Sequence, residues 1–171
     1  MTAKEFVDGL WSVYDEHQQI GITRCEIEDK LTRCEIEDKL KYVLSNIPSN
    51  EELTRNQAAK ILHTYMRDVL GIPDITDENV LHKATELRDL YDCRICAADI
   101  MQVYLRDVMD AGYVIKETGM KMFGGSENIT CSDLELLLLN LNSISFSTEK
   151  EYNYEVGDVQ KENNRKITTE K

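Results

Sequence analysis

Little in this sequence interrupts a helix. It holds two prolines, Pro48 and Pro73, and eight glycines, four of which crowd between positions 112 and 125. Long stretches therefore lack the two residues that most disfavour a helix interior, while Leu, Glu, Lys, Ala and Met, which favour one, are abundant. An all-α fold is expected. Long apolar runs are missing too. The richest stretch, LELLLLNL at 134–141, falls far short of the roughly 18 residues that a membrane span needs, so no span is expected.

Positive charge is scarce. Twenty Lys and Arg against 32 Asp and Glu leave a net charge of −12, and a chain without a basic face is not a nucleic-acid binder. No HExxH, Ser/His/Asp grouping or phosphate-cradling loop occurs, and Gly124-Gly125 is not followed by the Lys-Ser/Thr of a phosphate loop. The acidic clusters DENVLHK and EIEDK lack the ligand spacing and central glycine of a calcium loop. His17, His63 and His82 are scattered, and only His63 lies next to an apolar helical face. The expectation is a non-catalytic chain without cofactor or metal.

Cysteine is sparse and odd in number. Of Cys25, Cys34, Cys93, Cys96 and Cys131, the first two are copies of one another, which argues against a disulfide framework. Cys93-Arg-Ile-Cys96 is a lone CxxC without the preceding strand of a thioredoxin-like site, and a zinc site would need four ligands. Idle thiols are expected there. The opening residues MTAKEFVDGLW carry Lys4, Glu5 and Asp8 and no apolar segment with a cleavage site, so no secretion signal is read.

What the sequence does contain is helix starts. Between Thr23 and Leu40 the nonapeptide TRCEIEDKL stands twice in succession without a change. Each copy opens with Thr-x-x-Glu, the form of a capping box in which the Thr hydroxyl and the Glu carboxylate satisfy first-turn amides. TAKE at 2–5, TRNQ at 54–57 and TCSD at 130–133 repeat that grammar before apolar helical patterns, as diverged repeats would. A helix running through both copies would turn the second by about 180° from the first and point Ile27 and Ile36 apart. Either one copy spends its Ile and Leu on solvent or a partner, or the chain breaks near Leu31-Thr32 and caps again. A recent or artificial duplication that adds no chemistry is the simpler account; the other is that both copies bind something.

The pattern predicts a first helix over 2–16 with Phe6, Val7, Leu10, Trp11 and Tyr14 on one side. A second places Ile36, Leu40, Val43, Leu44 and Ile47 on one stripe, and a third carries Ala58, Ile61, Leu62, Tyr65, Met66 and Val69. A short helix over about 77–88, an apolar one over about 95–109 and a last one with Leu134, Leu137, Leu138 and Leu141 inward complete the series. A glycine-containing loop with a short extended piece at 113–115 separates the last two. Residues 1–146 read as one helical domain, a bundle of pseudo-repeated helix-loop-helix units. Residues 147–171, with six acidic and five basic side chains and little apolar content, read as a polar tail or weak hairpin.

Residues 87–141 resemble one repeat of the S-layer homology domain. Leu87, Asp89 and Leu90 are similar to its opening, Ala97 and Ile100 to its first helix, Phe123 to the aromatic of its loop, and Ile129-Thr130 to the start of its second helix. Ile22-Thr23-Arg24-Cys25-Glu26 and Leu53-Thr54-Arg55-Asn56-Gln57 resemble that last start in other repeats, and Thr2 to Phe6 more faintly. Cys96 stands where the family has Trp, and Cys131 where the last start has Arg. The resemblance implies a mostly helical domain of three pseudo-equivalent repeats at the cell surface. It also implies attachment to an anionic, often pyruvylated, secondary polymer of the Gram-positive wall. By position it assigns the groove arginines to Arg24, Arg33 and Arg55. An Arg just inside a helix start joins its planar fork to free amides and a positive dipole end, which suits an anion. An acidic body opposes such a ligand. A fold that has kept its frame and lost the sugar would be a protein-interaction domain, with a partner at the duplicated helix.

Overall fold

A computed structural model describes residues 1–20 and 31–144. Arg24, Cys25, all but Leu31 of the first TRCEIEDKL copy, and the tail at 147–171 lie outside them. The described chain is an all-α bundle with one two-stranded hairpin.

Threonine opens the helices as the sequence predicts. Thr2 precedes α1 (Ala3–Ile20), its amide donating to Glu5 Oε2 at 2.7 Å while the Glu5 amide donates to Thr2 Oγ1 at 3.4 Å. Thr32 caps α2 (Arg33–Leu44) with Glu35, and Thr54 caps α3 (Arg55–Thr64) with Gln57, both as complete capping boxes. Thr130 does the same through Asp133 for the last helix, α6, at residues 131–144. The chain therefore starts a new helix at the second nonapeptide copy. Recapping at Thr32 lets Ile36 and Leu40 fall into the core without a half-turn mismatch.

The central helix is α3. Ala58, Ala59, Ile61, Leu62, Tyr65 and Met66 are buried, so it is covered on most of its circumference. It runs into a π-helical turn at Tyr65–Val69, which closes on Gly71 in the left-handed region at φ 69°. The Tyr65 hydroxyl donates to the carbonyl of Leu10 on α1 at 3.2 Å, and burial drives its pKa far above the usual phenol range.

The expected helix over 77–88 is shorter and changes type. α4 (Glu78–Leu81), capped by Asp77, passes into a 3-10 turn at His82–Glu86. The reason is spacing. Leu81, Ala84, Leu87 and Leu90 recur every third residue, the period of a 3-10 helix, and the last three are buried. α5 (Ala97–Leu105) also stops before the expected Met109, because Asp107 turns left-handed at φ 57° and returns Val108 and Met109 to the core.

After α5 the extended piece pairs: β1 (Tyr113–Val114) runs antiparallel to β2 (Lys121–Met122), with Tyr113 opposite Met122. α6 then crosses α1 at Gly9, where an added Cβ would lie 3.0 Å from Leu134 Cδ2. Gly9 weakens the helix, and it also provides the close approach.

Three helix starts share one location. The Leu53 amide donates to Met1 O and the Ile129 amide to Leu53 O, each at 2.8 Å, so the residues preceding the caps of α1, α3 and α6 are joined in series. Around this junction lies a single apolar core to which α1, α2, α3, α5, α6 and the π and 3-10 turns contribute.

Candidate functional site

The residues that carry the family resemblance are interior. Leu87, Leu90, Ala97, Ile100, Phe123 and Ile129 are all buried in that core. Asp89 serves the same frame: its two carboxylate oxygens accept the amides of Phe123 at 2.6 Å and Gly124 at 2.8 Å, pinning the glycine loop beneath α5. A binding site has to come from what surrounds this frame.

Of the two candidate arginines among the described residues, Arg55 is the more enclosed. Its Nε donates to Phe123 O at 2.8 Å and its Nη2 to Asp110 O at 2.7 Å, with the guanidinium 4.8 Å from the centre of the Phe123 ring. Burial lowers its pKa, while Asp133, Glu127, Asp110 and Asp89 pull the other way. The α3 amides beside it are also taken, that of Arg55 by Glu127 O at 2.8 Å and that of Asn56 by Gly125 O at 2.9 Å. The expected combination of a free fork and free amides is thus spent on holding the loop.

Arg33 is exposed and joins α2 to α1. It pairs with Asp8 and, at 3.1 Å, with Glu37, and the Glu37 hydrogen bond followed by the Asp8 charge raises its pKa. Arg33 and Arg55 stand at different junctions, each bound to its own neighbours, and Arg24 lies outside the described residues.

Beside the loop that Arg55 holds lies an open groove of about 500 Å3, lined by Lys83, Glu86, Tyr104, Leu105, Asp107, Asp110, Ala111 and Lys121. The Tyr104 hydroxyl donates to Glu86, and Lys121 Nζ reaches the same carboxylate at 3.4 Å. Those two contacts, the tyrosine first, lower the Glu86 pKa, while burial and Glu86 raise that of Tyr104. Lys83 makes no ion pair among the described residues. Sequence reasoning missed this groove, since Lys83 falls in DENVLHK, which reads as a solvated face, and Lys121 in a loop. Only folding brings them together.

His63 holds a different junction. Nδ1 meets Asp99 Oδ1 and Nε2 meets Asp74 Oδ1, both at 2.7 Å, with the ring buried. The Asp99 hydrogen bond raises its pKa against the effect of burial, and Asp74 adds to the rise. With both nitrogens occupied, the ring ties α3, α5 and the 70–77 segment together. Gln102 assists by donating to Ile75 O at 3.0 Å and accepting from the Ile75 amide at 2.9 Å.

Cys93 and Cys96 form a disulfide, which corrects the expectation of idle thiols; Cys34 and Cys131 are exposed and unbonded. The turn at 93–96 that precedes α5 brings them together, and no strand is needed to do so. No helix among the described residues is long and apolar enough to cross a membrane. No family model, curated protein or solved structure matches the chain.

Proposed function

We propose that the chain is a non-catalytic binding module of the cell surface, whose ligand is an anionic glycan polymer of the Gram-positive wall. The observation that carries this reading is the placement of the motif residues. Those quoted for the S-layer homology resemblance, from Leu87 to Thr130, fall in one core, on one cap or, for Asp89, on the clamp that holds the Phe123 loop, as parts of a single structural unit would. The groove supplies chemistry for such a ligand. Lys83 and Lys121 are point charges for a sugar-borne carboxylate, Tyr104 offers an aromatic edge, and Glu86, Asp107 and Asp110 accept from sugar hydroxyls. Local lysines are needed because the body repels anions as a whole. The ligand contact accordingly moves from Arg55 to Lys83 and Lys121.

Sedimentation with purified Gram-positive wall sacculi tests this. The wild-type chain is expected to co-sediment, and Lys83→Ala with Lys121→Ala to remain in the supernatant while staying folded. A wild-type chain that ignores sacculi removes the reading.

One observation favours a protein-interaction domain instead. α6 exposes Leu136 at 52% and Leu139 at 64%, two residues three apart on its outer side. A wild-type chain that ignores sacculi but captures a protein partner, with capture lost on Leu136→Ser with Leu139→Ser and retained by the lysine variants, would select that alternative.

A further inference from the structure

Cys93 and Cys96 are bonded with their Cα atoms 5.2 Å apart and only Arg94 and Ile95 between them. A cross-link stabilises by restricting the unfolded chain, and the effect grows with the loop it closes. This loop is the smallest a CxxC pair can close. The turn is also held without sulfur: the amide of Asp92 donates to Asp89 O and that of Cys96 to Cys93 O, both at 3.0 Å, and that of Ile100 to Cys96 O at 2.9 Å. Folding of the segment does not explain the bond.

The two sulfurs have different surroundings. Cys96 is buried at 5% exposure, whereas Cys93 is half-buried and is followed by exposed Arg94 and Ile95, the latter 80% exposed; Tyr91, two positions before Cys93, is 58% exposed. An incoming thiol therefore meets Cys93 across a rim of Tyr91, Asp92, Arg94 and Ile95, largely apolar with one charge of each sign. The position of Cys96 adds a second asymmetry. It is the N-cap residue of α5 and makes no side-chain capping bond, while α1, α2, α3 and α6 all start from a capping threonine. The Ala97 amide donates to Arg94 O at 3.4 Å, and a thiolate freed at Cys96 still stands at the positive end of α5, an environment that depresses thiol pKa.

We propose that Cys93–Cys96 is an exchange site for low-molecular-weight thiols, with Cys93 the attacked sulfur and Cys96 the leaving thiolate. The incoming thiolate forms a bond to Cys93 Sγ as the Cys93–Cys96 bond breaks, and that electron pair goes to Cys96 Sγ. A second thiolate attacks the small-molecule sulfur of the mixed disulfide and releases the oxidised dimer of the thiol. Cys93 and Cys96 each take up one of the two protons that the thiols gave up. Two thiols are oxidised and one protein disulfide is reduced.

Glutathione is the probe. The full chain carrying Cys25→Ser, Cys34→Ser and Cys131→Ser is incubated with reduced glutathione, quenched with acid, alkylated and mapped by mass spectrometry, with circular dichroism followed in parallel. The folded chain is expected to be reduced, and the single-cysteine variants, incubated instead with oxidised glutathione, which releases one reduced glutathione for each adduct formed, to carry about ten times more glutathione on Cys93 in Cys96→Ser than on Cys96 in Cys93→Ser. Should either serine variant fail to fold, the transient adduct on the intact pair, trapped at early times, reports the same preference. A pair that opens only in denaturant overturns the proposal. So does an adduct that favours Cys96, or a pair that oxidised glutathione leaves as thiols.

Discussion

Arg55 lies over the ring of the residue whose carbonyl it binds: its Nε is 2.8 Å from Phe123 O, and its guanidinium carbon is 4.8 Å from the Phe123 ring centre. With Asp110 O as the second acceptor, one side chain on α3 fixes both sides of the loop between α5 and α6. Arg55→Ala leaves two carbonyls without a donor and is expected to lower stability by about 2–4 kcal/mol. Arg55→Lys should recover less than half of that, because an ammonium cannot serve both acceptors in the fork geometry. Urea denaturation of the three proteins checks this. An Arg55→Ala chain with an unchanged midpoint would show that the arginine does not hold the loop.

His63 makes stability depend on pH. Its folded pKa is raised above the unfolded value, so the stability it contributes is fully present below about pH 6.5 and is lost as pH rises through the folded pKa. Asp74 from the 70–77 segment and Asp99 from α5 face the ring, Asp68 from the π turn lies within its electrostatic reach, and Arg67 interacts with the same two carboxylates. The gap in melting temperature between wild type and His63→Gln should therefore be widest in mild acid and narrow towards pH 9. A gap that widens with rising pH would mean that the ring is held neutral.

The helix starts were legible in the sequence because a capping box is local. All the information in Thr54-Arg-Asn-Gln57 lies within four residues, and the structure uses it as written. The three-residue spacing of Leu81, Ala84 and Leu87 was equally local, although the expectation was a single short helix over about 77–88. What escaped was non-local. Arg55 finds its acceptors at Asp110 and Phe123, and Lys83 comes to share a groove with Lys121, through folding alone. The Cys93–Cys96 bond lay in between: the spacing was visible, but whether a turn would close it depended on the start of α5.

Thr54→Ala tests the local half of this account. It removes the hydroxyl that accepts the Gln57 amide at 3.3 Å and should cost about 1 kcal/mol, with a similar loss for Thr32→Ala, whose hydroxyl accepts from the Glu35 amide. Thermal unfolding of both variants gives the comparison. A loss above about 3 kcal/mol at Thr54 would mean that the junction with Met1 and Ile129 depends on the threonine as well.

Gly112 and Gly125 separate a rigid neighbour from a yielding one. Neither has the positive φ that would itself demand glycine. An added Cβ at Gly112 would lie 2.5 Å from the Phe123 carbonyl oxygen, which Arg55 and the Asp89 clamp on the Phe123 amide hold in place. At Gly125 it would lie 2.0 Å from Asn56 Oδ1, a nominally worse clash, but that oxygen is buried with no hydrogen-bond partner, and its side chain can rotate outward without losing a bond. Gly112→Ala is therefore expected to destabilise by about 2–3 kcal/mol, whereas Gly125→Ala should cost under about 1 kcal/mol, less than its closer contact suggests. Adding Asn56→Ala should abolish the Gly125→Ala effect and leave the Gly112→Ala effect intact, as expected for one coupled and one independent pair. Denaturant midpoints for the single and double variants decide it, and equal losses at both glycines would show that the Asn56 side chain is as fixed as the Phe123 carbonyl.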